Sequence, residues 1–106
     1  MNITDMRQAA RHPVDFPVIA EHRVHGDVPL HIVNISANGF MVDGSPNLSR
    51  GDRVLIRLPE VGRIEAYVIW TRDERAGLQF ERIIRVDDFI SMIDTLQPNP
   101  RLRKSR

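Results

Sequence analysis

The strongest constraint on the fold is the alternation of hydrophobic and polar residues along residues 14–81. A period near two is typical of β-strands, and the segments that interrupt it are rich in glycine, proline, asparagine and aspartate, which favour turns. The alternation predicts strands at residues 17–24, 30–35, 40–42, 53–58, 63–71 and 76–80. Short turns between consecutive strands predict an antiparallel meander.

These strands predict a closed sheet. The chain has 106 residues, which is enough for one compact domain. Short strands in so small a domain leave unpaired edges unless the sheet closes on itself. We therefore predict an all-β fold, a six-stranded antiparallel barrel. The buried face of the fifth strand is predicted to carry Ile64, Ala66, Val68 and Trp70.

The segments on either side of the barrel have different patterns. Hydrophobic residues recur every three or four positions along residues 86–96, which predicts a C-terminal amphipathic helix. Pro98 and Pro100 then end the helix. We predict a flexible N-terminal arm at residues 1–13, the barrel with its helix at residues 14–96, and a basic, disordered tail at residues 97–106.

Charge and composition exclude several classes of function. With 15 basic and 14 acidic residues, the net charge of +1 gives no field that would attract a nucleic-acid polymer. The absence of cysteine excludes disulfides, thiolate metal sites and a cysteine nucleophile. No apolar run approaches the roughly 20 residues that span a bilayer, so we expect a cytoplasmic protein that does not insert into a membrane.

Arginine is the preferred cation of this chain, since 14 of the 15 basic residues are arginine. A guanidinium binds phosphate or carboxylate with two parallel hydrogen bonds, which an ammonium group does not. Two of these arginines, Arg7 and Arg11, lie four residues apart in the predicted arm. They are candidates for binding a polyanion, although arginines paired with Asp5 or Asp15 on the surface would show the same spacing.

A second candidate is the turn between the second and third predicted strands. Asn34, Ser36 and Gly39 can present an amide, a hydroxyl and exposed backbone N–H groups to a polar ligand. The same residues also suit a plain turn, in which Asn34 and Ser36 bond locally and Gly39 supplies an unusual backbone angle. The residues alone leave both interpretations open.

Together and in this order, the two segments resemble the PilZ domain family of cyclic di-GMP receptors. The family has an RxxxR motif followed by [D/N]xSxxG, which stand here at residues 7–11 and 34–39. Residues 11–18, 51–54, 68–70 and 77–80 are also similar to the family's strands and turns, so the resemblance covers residues 7–93. It implies a six-stranded barrel followed by a helix, a ligand-binding function without catalysis, and cyclic di-GMP as the ligand.

The resemblance also implies a role for each motif residue. Arg7 and Arg11 would bind phosphate and guanine, with the arm closing over the ligand. Asn34 and Ser36 would read a guanine edge, and Gly39 would allow close approach of the backbone. The resemblance further implies that ligand binding orders the arm and thereby changes contact with a protein partner. Because methionine precedes Arg7 where another arginine would add charge, we expect one ligand molecule.

The remaining polar residues predict neither a metal site nor catalysis. The four histidines lack metal-ligand spacing, although His12 lies near the arm and is a candidate ligand contact. No nucleophile elbow, P-loop or dinucleotide fingerprint is present, so we expect no enzyme activity and no cofactor besides the ligand. Two alternatives stay open: a PilZ-like interaction adaptor with negligible ligand affinity, and a small nucleic-acid-binding barrel.

Overall fold

The strands form a closed antiparallel barrel. A computed structural model describes residues 10–44 and 46–96. In chain order the elements are β1 (His12–His22), β2 (Gly26–Ile35), β3 (Gly39–Asp43), β4 (Arg53–Leu58), β5 (Gly62–Arg72), β6 (Arg75–Phe80) and α1 (Val86–Thr95). Around the barrel the strand order is β1-β2-β3-β6-β5-β4. The predicted six-stranded antiparallel barrel and its C-terminal helix are therefore confirmed.

The observed strand boundaries differ most from the predicted ones at the start of the barrel. β4 has the predicted limits, whereas β1 begins at His12 instead of residue 17 and ends at His22 instead of residue 24. The early start arises because His12 pairs with Ile35 and Pro13 with Asn34, so the end of the predicted arm is already part of the sheet. Residues 1–9 of that arm and residues 97–106 of the predicted tail lie outside the described residues.

The core fills the inside of the barrel and continues beneath α1. Along β4, alternate residues point inward, as the two-residue period predicted. From α1 the buried side chains are Phe89 and Met92, and Ile84 and Leu96 on either side of the helix are buried with them. The apolar face of α1 is thus part of one continuous core with the barrel. Among the described helices, none is long and apolar enough to cross a membrane.

A bulge in β5 changes which side chains face the core. Val68 pairs with Leu78, but the next pair is Trp70 with Gly77, so Ile69 is an extra residue on β5. One extra residue reverses the alternation of the faces beyond it. The prediction that Trp70 lies in the core is therefore wrong: Trp70 is half-buried on the outer surface, and Ile69 is 41% exposed.

His22 joins the turn between β1 and β2 to the loop that precedes β4. Its Nδ1 accepts hydrogen bonds from the backbone N–H groups of Val24 and His25, both at 3.0 Å. Its Nε2 therefore carries the proton and donates to Asp52 Oδ2 at 2.9 Å. This bond, together with one from the Ser49 backbone N–H, holds the pKa of Asp52 below its usual value. The buried imidazole thus has all its polar atoms satisfied.

Candidate functional site

A shallow cleft opens on the outer surface of the barrel, where β3, β6 and β5 run side by side. Its volume is about 160 Å³. The residues that line it are Arg11, Ser36, Asn38, Gly39, Phe40, Ile69, Trp70, Gly77, Leu78 and Gln79. Pockets that enclose a small molecule commonly measure about 300–1,000 Å³. The described residues therefore form a floor that is too small to enclose a ligand of that size.

The pairing of β1 with β2 brings the two sequence motifs together at this cleft. Arg11 immediately precedes β1, and the pair of Pro13 with Asn34 aligns it with the end of β2. Arg11 Nη1 donates a hydrogen bond to Asn34 Oδ1 at 3.0 Å, across 23 residues of sequence. The exposed guanidinium of Arg11 therefore lies beside the turn that follows Asn34, as a combined site requires.

Ser36 lines the cleft and also holds the turn together. Its hydroxyl accepts a hydrogen bond from the Asn38 backbone N–H at 3.2 Å and lies 3.5 Å from the Gly39 carbonyl oxygen, to which it donates. The backbone N–H of Ser36 donates to that same oxygen at 2.8 Å. The local bonding that the sequence left open is thus present at Ser36, whose side chain is buried.

Gly39 is required by the neighbouring strand. A Cβ atom at this position would collide with the backbone carbonyl oxygen of Leu78 on β6. Gly39 pairs with Gln79, so β3 and β6 approach closely at the edge of the cleft. The left-handed backbone angle considered for Gly39 is wrong, because the positive-φ glycines of the described chain are Gly26, Gly44, Gly51 and Gly62.

Trp70 is a cleft residue that sequence reasoning missed. Because of the bulge at Ile69, its indole lies over Gly77, where a Cβ atom would collide with the indole Nε1 and Cε2. The Arg72 guanidinium carbon lies 5.9 Å from the ring centroid, within the range of a cation–π contact. The glycine at position 77 was the available signal, since it leaves space on the outer face of β6 for a large neighbour.

The other predicted residues are distributed unevenly around the cleft. Asn34 reaches it through its bond to Arg11, and its Nδ2 lies 3.9 Å from Met41 Sδ. Arg7 lies outside the described residues. His12, a candidate ligand contact, packs its ring edge-on against Phe89 of α1, with 5.3 Å between the ring centroids. Its imidazole therefore faces the helix.

The cleft has the chemistry of a site for an aromatic anion. Arg11 supplies a permanent positive charge, and Trp70 supplies an aromatic surface. Asn38 and Gln79 add side-chain amides, each with a donor and an acceptor. Elsewhere in residues 10–44 and 46–96, no group of three or more histidine, aspartate or glutamate side chains is placed to hold a metal ion.

Comparison with known proteins identifies the family of the chain. The sequence model of the PilZ domain matches residues 5–95 of the 106-residue chain. The match includes Arg7, Arg11 and the whole turn from Asn34 to Gly39. No curated protein matches the sequence significantly. Because the matched region covers most of the sequence, the chain belongs to the PilZ domain family.

Proposed function

We propose that this chain is a receptor for cyclic di-GMP and that it binds the ligand at the cleft beside Arg11. The PilZ family in general binds this nucleotide and acts through protein contacts rather than catalysis. The observation that supports the proposal for this chain is the 3.0 Å contact between Arg11 and Asn34. Through this contact a residue of the second family motif, Asn34, adjoins Arg11 of the first motif, which lines the cleft.

The chemistry of the ligand suits the groups around the cleft. Cyclic di-GMP offers two phosphates and two guanines, and a guanidinium can bind phosphate oxygens or the O6 and N7 atoms of guanine. In the proposed complex Arg11 exchanges its hydrogen bond to the uncharged amide of Asn34 for a bond to a phosphate or guanine of the ligand. This exchange also frees the Asn34 side chain to bind a guanine edge. Ser36 and Gly39 form the floor through the turn that they maintain.

The N-terminal arm completes the site in this proposal. The floor of about 160 Å³ is too small to enclose a dinucleotide by itself. Arg7 lies four residues before Arg11, so an arm folded over the bound ligand would add a second guanidinium from the opposite side. Ordering of the arm would then change the surface offered to a protein partner, which is how we propose that the signal is passed on.

One observation favours the alternative, an interaction adaptor with negligible ligand affinity. Arg11, Asn34 and Ser36 already bond to protein groups, so the described part of the motif is satisfied without a ligand. Asparagine at position 34 also lacks the charge that an aspartate would offer to the guanine ring N–H and amino group. The free energy gained on binding the ligand must therefore exceed the free energy lost when the contact between Arg11 and Asn34 breaks.

The fluorescence of Trp70 separates these two functions, because it is the single tryptophan of the chain. A base bound in the cleft contacts the indole, so titration with cyclic di-GMP is expected to change the emission saturably. Trp70→Ala should weaken binding about 10-fold. This loss is consistent with the contribution of about 1–3 kcal/mol from stacking of a base on an aromatic ring. Emission that stays constant while calorimetry reports saturation would contradict a site beside Trp70.

A further inference from the structure

His31 connects three neighbouring strands through its two ring nitrogens. It lies on β2, and its Nδ1 is 2.8 Å from Asp43 Oδ1 on β3. Its Nε2 is 2.6 Å from Asp15 Oδ1 on β1. The three side chains are each 40–44% exposed, so the cluster lies at the surface of the barrel. We call Asp15, His31 and Asp43 the histidine clasp.

The complete clasp requires a charged imidazole. An ionised carboxylate only accepts hydrogen bonds, so both ring nitrogens of His31 must donate. A neutral ring has one N–H group and would leave one carboxylate without a donor. Loss of the proton would also leave the negative charges of Asp15 and Asp43 uncompensated on either side of the ring.

The clasp holds the part of β1 that has the least support from the sheet. β1 pairs with β4 only through Glu21 and His22, at its far end. On its other side the register with β2 is interrupted between Pro13 and Phe16, and Asp15 lies within this irregularity. Among the residues that the structure describes, the start of β1 thus has no strand neighbour on one side and irregular pairing on the other. The hydrogen bond that His31 donates to Asp15 spans this interruption.

This weakly paired segment also positions the cleft residue Arg11. Arg11 lies directly before β1, and it contacts Asn34, which is three residues beyond His31 on β2. Asn34 pairs with Pro13 on one side and Met41 on the other, so its neighbours are the same two strands that the clasp connects. The alignment of Arg11 with Asn34 therefore depends on how firmly β1, β2 and β3 are held together here.

We propose that His31 is a positioning residue for the nucleotide site: in its protonated form it ties β1 to β3 and keeps Arg11 aligned with Asn34. The inference rests on the proposed function, since the affected property is affinity for cyclic di-GMP. It assigns a role to a residue outside both family motifs, at positions 7–11 and 34–39. His31 does not contact the ligand in this account and acts through Asp15.

The charges around His31 set the direction of the pH dependence. Asp15 from β1 and Asp43 from β3 raise the pKa of His31 above its usual value of 6.5, chiefly through the hydrogen bond that His31 donates to Asp15, while desolvation opposes them. Because the pKa of His31 is raised by folding, the stabilising contribution of the clasp is fully present below about pH 6.5. It is lost as the pH rises through the pKa that His31 has in the folded chain. Affinity for the ligand should fall over the same range.

The test is calorimetric titration with cyclic di-GMP at a series of pH values from about 5.5 to 8.5, around the ordinary histidine pKa. The wild-type affinity is expected to decrease about 10-fold across the titration of His31, which corresponds to about 1.4 kcal/mol. His31→Gln cannot carry the charge, so its affinity should be low and independent of pH. His25→Gln is the matched control, because it removes an exposed histidine from the turn that follows β1, far from Asp15.

A second variant distinguishes positioning from a general loss of structure. Asp43→Asn keeps the shape of the side chain and removes one charge, so the midpoint of the affinity profile should move to lower pH. Parallel profiles for the wild type, His31→Gln and Asp43→Asn would overturn the inference while leaving the receptor function intact. A wild-type chain that binds no cyclic di-GMP at any pH would overturn both.

If His31→Gln does not fold, the wild-type chain alone provides the test. Nuclear magnetic resonance follows the ring protons of His31 and the side-chain amide of Asn34 in one pH titration. Coupling through the clasp predicts the same midpoint for both groups, because the contact between Arg11 and Asn34 changes when His31 loses its proton. An Asn34 amide that is insensitive to the titration of His31 would overturn the inference.

Discussion

Replacing Arg11 with alanine is expected to weaken binding of cyclic di-GMP about 10- to 100-fold, because it removes hydrogen bonds to a charged group that contribute about 1.5–3 kcal/mol. Arg11 is exposed and bonds only to Asn34 among the hydrogen bonds of the described chain, so the barrel should stay folded. Isothermal titration gives the affinity, and circular dichroism verifies the fold.

Arg57→Ala is the matched control for this variant. It removes the same charge from an exposed strand position outside the cleft and is expected to leave the affinity unchanged. Arg7→Ala should behave like Arg11→Ala if the arm folds over the ligand. Unchanged affinity in both Arg7→Ala and Arg11→Ala would refute the assignment of the site.

Replacing Gly39 with alanine is expected to destabilise the barrel by about 3 kcal/mol, at the upper end of what overpacking costs. The added Cβ would collide with the carbonyl oxygen of Leu78. Because this oxygen belongs to the backbone, it cannot move aside as the end of a flexible side chain could. To relieve the collision, β3 must separate from β6 next to the buried Phe40. Chemical denaturation measures the change in the free energy of unfolding.

Gly26→Ala provides the comparison for Gly39→Ala. A Cβ at Gly26 meets nothing within 4 Å, but the φ of 72° makes a side chain unfavourable there. We expect Gly26→Ala to lower the free energy of unfolding by about 1–2 kcal/mol, which is the cost of left-handed backbone angles for a residue with a Cβ. A smaller loss of stability for Gly39→Ala than for Gly26→Ala would show that close approach of the strands does not constrain position 39.

The fold was largely predictable because the barrel has a regular period and clear turns. Alternation over residues 53–58 gave the limits of β4, and the change of period after residue 85 gave the start of α1. The early start of β1 was not predictable, since Pro13 removes a donor and disfavours regular pairing. Its pairing depends on Asn34 across the sheet, a contact that no local pattern contains.

The candidate site was predictable in part for a related reason. The motif residues Arg11, Ser36 and Gly39 all lie at the cleft, because strand pairing brings the two segments together. An uninterrupted alternation predicts that Trp70 lies in the core. The bulge at Ile69 reverses that alternation, and a bulge of one residue has no distinct pattern in a sequence of hydrophobic residues.

The reason why position 39 requires glycine was also not apparent from the sequence. Its collision with Leu78 depends on the distance between β3 and β6, which are separated along the chain by β4 and β5. The histidine clasp is hidden for the same reason, since Asp15, His31 and Asp43 come from three strands. Both features depend on cross-strand register, which the sequence pattern does not specify.

We propose above all that this chain binds cyclic di-GMP at the cleft that contains Arg11. Isothermal titration of the wild-type chain with cyclic di-GMP, GMP and cyclic di-AMP tests it most directly. The account predicts saturable binding of cyclic di-GMP with micromolar or tighter affinity and much weaker binding of the other two nucleotides. No heat and no thermal shift at high concentrations of cyclic di-GMP would contradict the account and favour an interaction adaptor.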